Sequence, residues 1–147
     1  MPTISRDKVK KKGFKRFLNS FRYSVEGLVY AYKNEQSFLI HFIASFTAVA
    51  LGLILGIDAG EWFIVILILA IVLIVELFNT AIEAIVDMIT LEQNMLAKIA
   101  KDCGSAAAFV ASVIGIGICL SIYVPYVIAL LNWNSLGSVV WKVVLLV

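Results

Sequence analysis

The chain has 147 residues, of which 62% are hydrophobic and 15% charged, and its mean hydropathy is +1.00. Soluble domains are nearer to about 45–50% apolar and about 25% charged, so this composition excludes an ordinary water-soluble domain. The net charge of +2 gives no reason to expect a nucleic-acid partner. The length is sufficient for one domain, and the apolar excess indicates segments that span a membrane.

Residues 1–12 form a basic tail, and the chain then shows helical spacing over about residues 13–33. The apolar residues of this stretch fall on one side of the predicted helix: Phe14, Phe17, Leu18, Phe21, Val25, Leu28, Val29 and Tyr32. A basic amphipathic helix rich in aromatic residues is typical of a helix at the membrane surface. A helix packed only on protein is the alternative. No signal peptide is expected, because the first apolar run begins at Phe38 and is too long for one.

Three apolar stretches follow that are long enough to cross a bilayer, which requires about 20 residues. They predict spans at about residues 36–57, 62–87 and 104–125. The fold class is therefore an all-α integral membrane protein, with an N-terminal surface helix and three transmembrane helices in a membrane domain of residues 13–131. Residues 132–147 form a C-terminal extension to which no function is assigned.

The distribution of basic residues predicts the orientation of the chain. Of the 12 Lys and Arg residues, eleven precede the first span or lie between the second and third. By the positive-inside rule the N-terminus is cytoplasmic and the C-terminus lies outside.

Two rows of small residues predict close helix packing, because such rows allow helix backbones to approach each other in lipid. They are Ala44, Ala48, Gly52 and Gly56 in the first span, and Ala107, Ala111 and Gly115 in the third. Three helices alone form a thin bundle, so we expect a homo-oligomer. The rows of small residues do not determine the number of subunits.

The second span carries the segment with the most chemical information. At about 100° per residue, Glu76, Glu83 and Asp87 lie within roughly 40° of one another, with Thr80 between them and Asn79 at the flank. A charge at the bilayer centre costs on the order of 2.5–3.5 kcal/mol, so an acidic residue within a span indicates function. The alternative is that Glu76 has no catalytic role. Its side chain would then only extend to the membrane–water interface, or form polar contacts between subunits.

Further polar residues stand at the same predicted side of the membrane, with Glu35 before the first span and Asp102 before the third. Carboxylates and amide oxygens suit Mg²⁺, and Lys101 and Arg16 suit phosphate oxygens. The chain has no P-loop, GxGxxG or protein-kinase signature. On the residues alone, proton relay, cation passage and metal-assisted chemistry all remain open.

Three blocks of the sequence resemble the prokaryotic diacylglycerol kinase/undecaprenol kinase family. The segment from Glu76 to Asp87, ELFNTAIEAIVD, is similar to the family signature E-x-x-N-[ST]-A-I-E-x-x-V-D. The segments NEQSF (residues 34–38) and AKDCGSAA (residues 100–107) are similar to two further family blocks, in matching order. The similarity covers about residues 13–125.

This resemblance implies a homotrimeric, multi-pass lipid kinase of the bacterial plasma membrane, with active sites between subunits. It implies that Glu76 is the catalytic base, and that Glu35 and Glu83 hold the Mg²⁺ that bridges the phosphates of ATP. It also implies a nucleotide site, to which Glu35 and Glu83 belong together with Arg16, Tyr23, Asn79, Lys101 and Asp102. Ser105 would face the lipid alcohol, which Glu76 also contacts.

The substrate prediction favours undecaprenol over diacylglycerol. His41 resembles the N-F-x-I-H form of undecaprenol kinases, although Ser37 stands where that form has Asn and Leu39 where Arg is frequent. The segment GSAA (residues 104–107) looks more like the diacylglycerol kinase branch. A proton-relay subunit and a structural membrane subunit are the alternatives that are not enzymes.

Overall fold

The computed structural model describes residues 14–90 and 92–144, with side chains as far as residue 132. The predicted basic tail, and nearly all side chains of the predicted C-terminal extension, lie outside the described residues. The described chain is all-helical, as predicted. Its helices are α1 (Phe14–Asn34), α2 (Gln36–Leu55), α3 (Ala59–Ile89) and α4 (Met95–Val144).

Three described segments are long and apolar enough to cross a membrane: Gln36–Leu55, Ala59–Ile89 and Met95–Asn132. At about 1.5 Å per residue, α3 is about 46 Å long, whereas the hydrocarbon layer is about 30 Å thick. Helix α3 is therefore longer than the apolar layer is thick. Helix α4 begins at Met95, well before the predicted span, and continues through Pro125.

A tight turn reverses the chain between α2 and α3. Gly56 ends α2 in the left-handed conformation (φ 66°), and its N–H donates to the Gly52 carbonyl at 3.0 Å. Asp58 then caps α3, because its Oδ1 accepts from the Glu61 N–H at 3.0 Å. Glu61 Oε2 accepts from the Asp58 N–H at 3.1 Å, which completes a capping box.

Replacing Asp58 by alanine is expected to lower the free energy of unfolding by about 0.5–2 kcal/mol, because the Glu61 N–H loses its side-chain acceptor. Asp58→Ser keeps an acceptor and is the matched control. The stability of both variants is measured by following helix content through an SDS titration in micelles. Equal stability of the alanine and serine variants would show that the cap contributes nothing.

The buried face of α3 changes character along its length. It consists of Val65, Ile68, Val72, Glu76 and Thr80, so apolar residues give way to polar ones toward the C-terminus. Helices α2 and α4 begin, and α3 ends, at the same end of the bundle. We call this end the carboxylate end. The apolar core lies at the opposite end and comprises Ile57, Val65, Ile122 and Tyr123.

Small residues allow the helices to approach α3 closely. A Cβ on Gly52 would lie 3.0 Å from the Trp62 ring, and one on Gly115 would lie 3.2 Å from Val72. The buried small residues of α4 also include Gly104 and Ala108. Of the row predicted in the third span, Gly115 is buried, Ala111 is half-buried and Ala107 is exposed.

Candidate active site

Glu76 lies at the centre of the polar cluster at the carboxylate end. Its residue exposure is 2%, although it belongs to a helix long and apolar enough to span a membrane. The Ser37 hydroxyl donates to Glu76 Oε1 at 2.9 Å, and His41 Nδ1 lies 2.7 Å from the same oxygen. Ser37 and His41 are one turn apart on α2, so a single helix face presents both groups to the carboxylate.

The cluster continues from His41 to α4. His41 Nε2 lies 2.8 Å from the Ser112 hydroxyl oxygen, and that hydroxyl donates to the Ala108 carbonyl at 2.7 Å. His41 Nδ1 has no hydrogen-bond partner at a suitable angle, although it lies 2.7 Å from Glu76 Oε1. Side chains from α2, α3 and α4 thus meet around one buried carboxylate.

Asn79 and Glu83 form a second pair, one turn further along α3. The Asn79 amide Nδ2 donates to Glu83 Oε1 at 2.9 Å, which fixes the orientation of the amide. Its oxygen, Oδ1, is buried without a hydrogen-bond partner and packs against Gly104 of α4. Among the side chains that the structure describes, Asn79 Oδ1 and His41 Nδ1 are the two buried N or O atoms left without a hydrogen bond. Such atoms are rare in native proteins, and both lie in this cluster.

The charged residues beyond Glu83 pair between or within helices. Lys101 Nζ donates to Asp87 Oδ1 at 2.5 Å, which links α4 to α3. Asp102 pairs with Lys98, one turn before it on α4. Glu35 lies between α1 and α2, is half-buried, and makes no side-chain capping hydrogen bond. Its carboxylate is therefore available to a ligand.

Three predicted site residues are exposed and make no hydrogen bond to this cluster. Arg16, Tyr23 and Ser105 are exposed, and the Arg22 guanidinium lies 5.5 Å from the Tyr23 ring centre. Within residues 14–90 and 92–132, none of the three bonds to Glu76 or Glu83. The same residues contain no group of three or more His, Cys, Asp or Glu side chains arranged to hold a metal ion.

Sequence reasoning missed Ser37 and Ser112 as site residues. In the sequence, Ser37 stands out only as a departure from a family pattern, and Ser112 is one polar residue within an apolar span. The available signal was that both are polar residues near or within apolar spans, where hydroxyls bond to other helices.

The fold and the cluster define a class of protein: a helical membrane protein with a buried polar site at one end of its bundle. The chain belongs to the prokaryotic diacylglycerol kinase family, whose pattern it matches over residues 22–123. The chain is therefore a membrane lipid kinase, for which ATP is the implied phosphoryl donor.

Three relatives illustrate the similarity. The diacylglycerol kinase of Pseudomonas aeruginosa is 41% identical over 99 residues, which cover 67% of this chain and 80% of the relative. The diacylglycerol kinase of Escherichia coli is 38% identical over 104 residues, which cover 71% of this chain and 85% of the relative. The undecaprenol kinase of Bacillus subtilis is 36% identical over 110 residues, which cover 75% of this chain and 89% of the relative. The relatives thus carry two substrate names at similar levels of identity.

Proposed function

We propose that this chain transfers the γ-phosphate of MgATP to the hydroxyl of a membrane lipid alcohol, with undecaprenol as the substrate. The observation that carries the proposal is the buried Glu76 carboxylate, held by Ser37 and His41 in a helix long enough to cross the membrane. A carboxylate in this position is costly to maintain, and a base for a lipid hydroxyl is needed at the same depth.

Glu76 is proposed as the base. It accepts the proton of the lipid hydroxyl while the hydroxyl oxygen attacks the γ-phosphorus. Most of the remaining catalysis in phosphoryl transfer comes from positioning and charge neutralisation, which do not require a P-loop. Ser105 is proposed to lie against the lipid alcohol.

The donor set fits Mg²⁺. Glu35 has a carboxylate without a capping bond, and Glu83 is oriented by Asn79, whose own Oδ1 is buried and unpartnered. These are hard oxygen atoms, which Mg²⁺ prefers, and Mg²⁺ commonly binds through one or two carboxylates plus substrate phosphates. Glu35 and Glu83 would hold the ion, which when bound neutralises charge on the phosphates.

The nucleotide site is proposed to comprise Arg16, Tyr23, Glu35, Asn79, Glu83, Lys101 and Asp102. Lys101 is held near α3 by Asp87, so its ammonium group is already placed at the carboxylate end. Arg16 and Tyr23 are exposed on α1. In a homotrimer with sites between subunits, which we also propose, such exposed residues would complete the site of a neighbouring subunit.

The proposed orientation places the carboxylate end in the cytoplasm of a bacterium, where ATP is available. It rests on the positive-inside rule applied to eleven of the 12 basic residues. The lipid alcohol then reaches Glu76 from the bilayer, while ATP reaches Glu35 and Glu83 from the aqueous side.

Phosphate transfer from labelled ATP in mixed micelles tests the proposal, with undecaprenol and diacylglycerol offered in parallel. We expect transfer to undecaprenol that is lost on addition of EDTA and restored by Mg²⁺. Preferential transfer to diacylglycerol would favour the second candidate, which the GSAA segment (residues 104–107) and the Pseudomonas relative support. Transfer to neither lipid by folded protein, with ion flux in liposomes without ATP, would instead indicate a proton-relay subunit.

A further inference from the structure

We propose that Ser37 is a positioning residue that holds the Glu76 carboxylate by Oε1, so that Oε2 is the oxygen that takes the proton of the lipid hydroxyl. The inference rests on the proposed role of Glu76 as the base. The observation behind it is the hydrogen bond from the Ser37 hydroxyl on α2 to Glu76 Oε1 on α3, at 2.9 Å. This bond joins two helices through residues that are 39 positions apart in the chain.

The location of Ser37 explains why its hydroxyl bonds to another helix. Serines within helices commonly donate to the carbonyl one turn before them, as Ser20, Ser24 and Ser112 do in this chain. Ser37 lies in the first turn of α2, after the extended residue Glu35, so its own helix has no carbonyl one turn before it. Its hydroxyl is therefore free to donate to the carboxylate on α3, which when ionised only accepts hydrogen bonds.

The two carboxylate oxygens of Glu76 have different surroundings. Oε1 has two polar neighbours on α2, the Ser37 hydroxyl at 2.9 Å and His41 Nδ1 at 2.7 Å. Oε2 accepts no hydrogen bond from the residues that the structure describes. It is also not one of the two fully buried side-chain atoms without a partner, so it is not enclosed by the protein. Although Glu76 is only 2% exposed, Oε2 is thus the oxygen that a ligand can reach.

The bond from Ser37 restricts the rotation of the carboxylate. The terminal torsion of a glutamate side chain has a broad distribution, so an unrestrained carboxylate turns about that bond. A hydrogen bond to an ionised group is stronger than one between neutral groups, and here it fixes Oε1 and with it the position of Oε2. Because proton transfer depends on the placement of the accepting oxygen, Ser37 contributes to kcat through Glu76.

The proposed step balances as follows. The lipid O–H bond breaks and its proton passes to Glu76 Oε2, while the lipid oxygen forms a bond to the γ-phosphorus. The bond from that phosphorus to the bridging oxygen breaks, and ADP leaves with the electron pair. After the phosphorylated lipid has left, Oε2 gives its proton to water, which restores the carboxylate. The Ser37 hydroxyl keeps its own hydrogen throughout.

The first test removes the hydroxyl and then restores it, in the full-length protein in mixed micelles. Ser37→Ala is expected to lower kcat for lipid phosphorylation by about 10- to 100-fold, the cost of a misplaced catalytic group. KM for ATP is expected to stay near the wild-type value, since Ser37 is not part of the proposed nucleotide site. Ser37→Thr keeps the donor and is expected to retain most of the kcat. Wild-type kcat in a folded Ser37→Ala variant, or equal losses in the alanine and threonine variants, would overturn the proposal.

Thr47→Val is the matched control, because it removes a hydroxyl of α2 that bonds only within its own helix, to the Ile43 carbonyl. The control is expected to retain wild-type kcat, and a loss equal to that of Ser37→Ala would contradict the proposal. Circular dichroism and gel filtration establish that each variant is folded. If Ser37→Ala does not fold, Ser37→Cys takes its place and is expected to lose kcat, since a thiol is similar in size but only a weak donor.

A double-mutant cycle separates the role of Ser37 from that of the proposed base. If Ser37 acts only through Glu76, adding Ser37→Ala to Glu76→Gln should lower the residual kcat no further. A further loss of the full size seen in the wild-type background would contradict the proposal. Wild-type kcat in Glu76→Gln alone would refute the proposed function itself. An inactive Glu76→Gln variant together with a fully active Ser37→Ala variant would refute only the inference about Ser37.

Discussion

Glu76→Gln is expected to reduce kcat for lipid phosphorylation by about 10²–10⁴-fold, the range that general base catalysis contributes. Glutamine has nearly the same shape as glutamate. It retains an oxygen that can accept from the Ser37 hydroxyl, which donates to Glu76 Oε1 at 2.9 Å in the wild type. It cannot take the proton of the lipid hydroxyl. Because a neutral amide costs less than a carboxylate to bury in a membrane, we expect the variant to fold at least as well as wild type.

The measurement is kcat with saturating lipid and ATP, together with circular dichroism and gel filtration in the same micelles. Glu92→Gln is the matched control, since Glu92 is exposed after the end of α3 and belongs to no proposed site. The control is expected to retain wild-type kcat. Wild-type kcat in a folded Glu76→Gln variant would remove Glu76 from the role of base.

The helical pattern of the sequence predicted the four helices, although not the early start of α4, and it predicted the polar face of α3. A period of 3.6 residues places Glu76 and Thr80 on one side of the helix, and the structure buries both on the face that contacts the other helices. The predicted surface helix at residues 13–33 corresponds closely to α1, Phe14–Asn34. The periodicity of a helix depends only on residues close together in the chain, so a single sequence is enough to show it.

The contacts between helices could not be predicted in the same way. Ser37 and Glu76 are 39 positions apart, and His41 and Ser112 are 71 apart. Their meeting depends on the rotation of each helix about its axis, which the packing of Gly115 against Val72 and Gly52 against Trp62 helps to set. The row of small residues on α4 shows the same limit, because a spacing of four does not determine which members are buried: Gly115 is buried and Ala107 is exposed.

Gly104→Ala is expected to weaken Mg²⁺ and ATP binding without disrupting the fold. A Cβ at this position would lie 2.5 Å from Asn79 Oδ1, so the Asn79 side chain must move. Its amide then loses the 2.9 Å hydrogen bond that orients Glu83. Loss of a group that orients a metal ligand typically costs about 10- to 100-fold in metal affinity, so the Mg²⁺ concentration for half-maximal activity should rise by a similar factor.

Gly117→Ala is the matched control on the same helix, because a Cβ there would meet nothing within 4 Å. Both substitutions gain the helix propensity of alanine, about 1 kcal/mol per residue, so a difference between them reports the clash with Asn79. Asn79→Ala completes a double-mutant cycle. If Gly104 acts only through Asn79, adding Gly104→Ala to Asn79→Ala should change the Mg²⁺ requirement no further. Independent, additive effects would mean that Gly104 contributes by another route, such as the approach of α4 to α3.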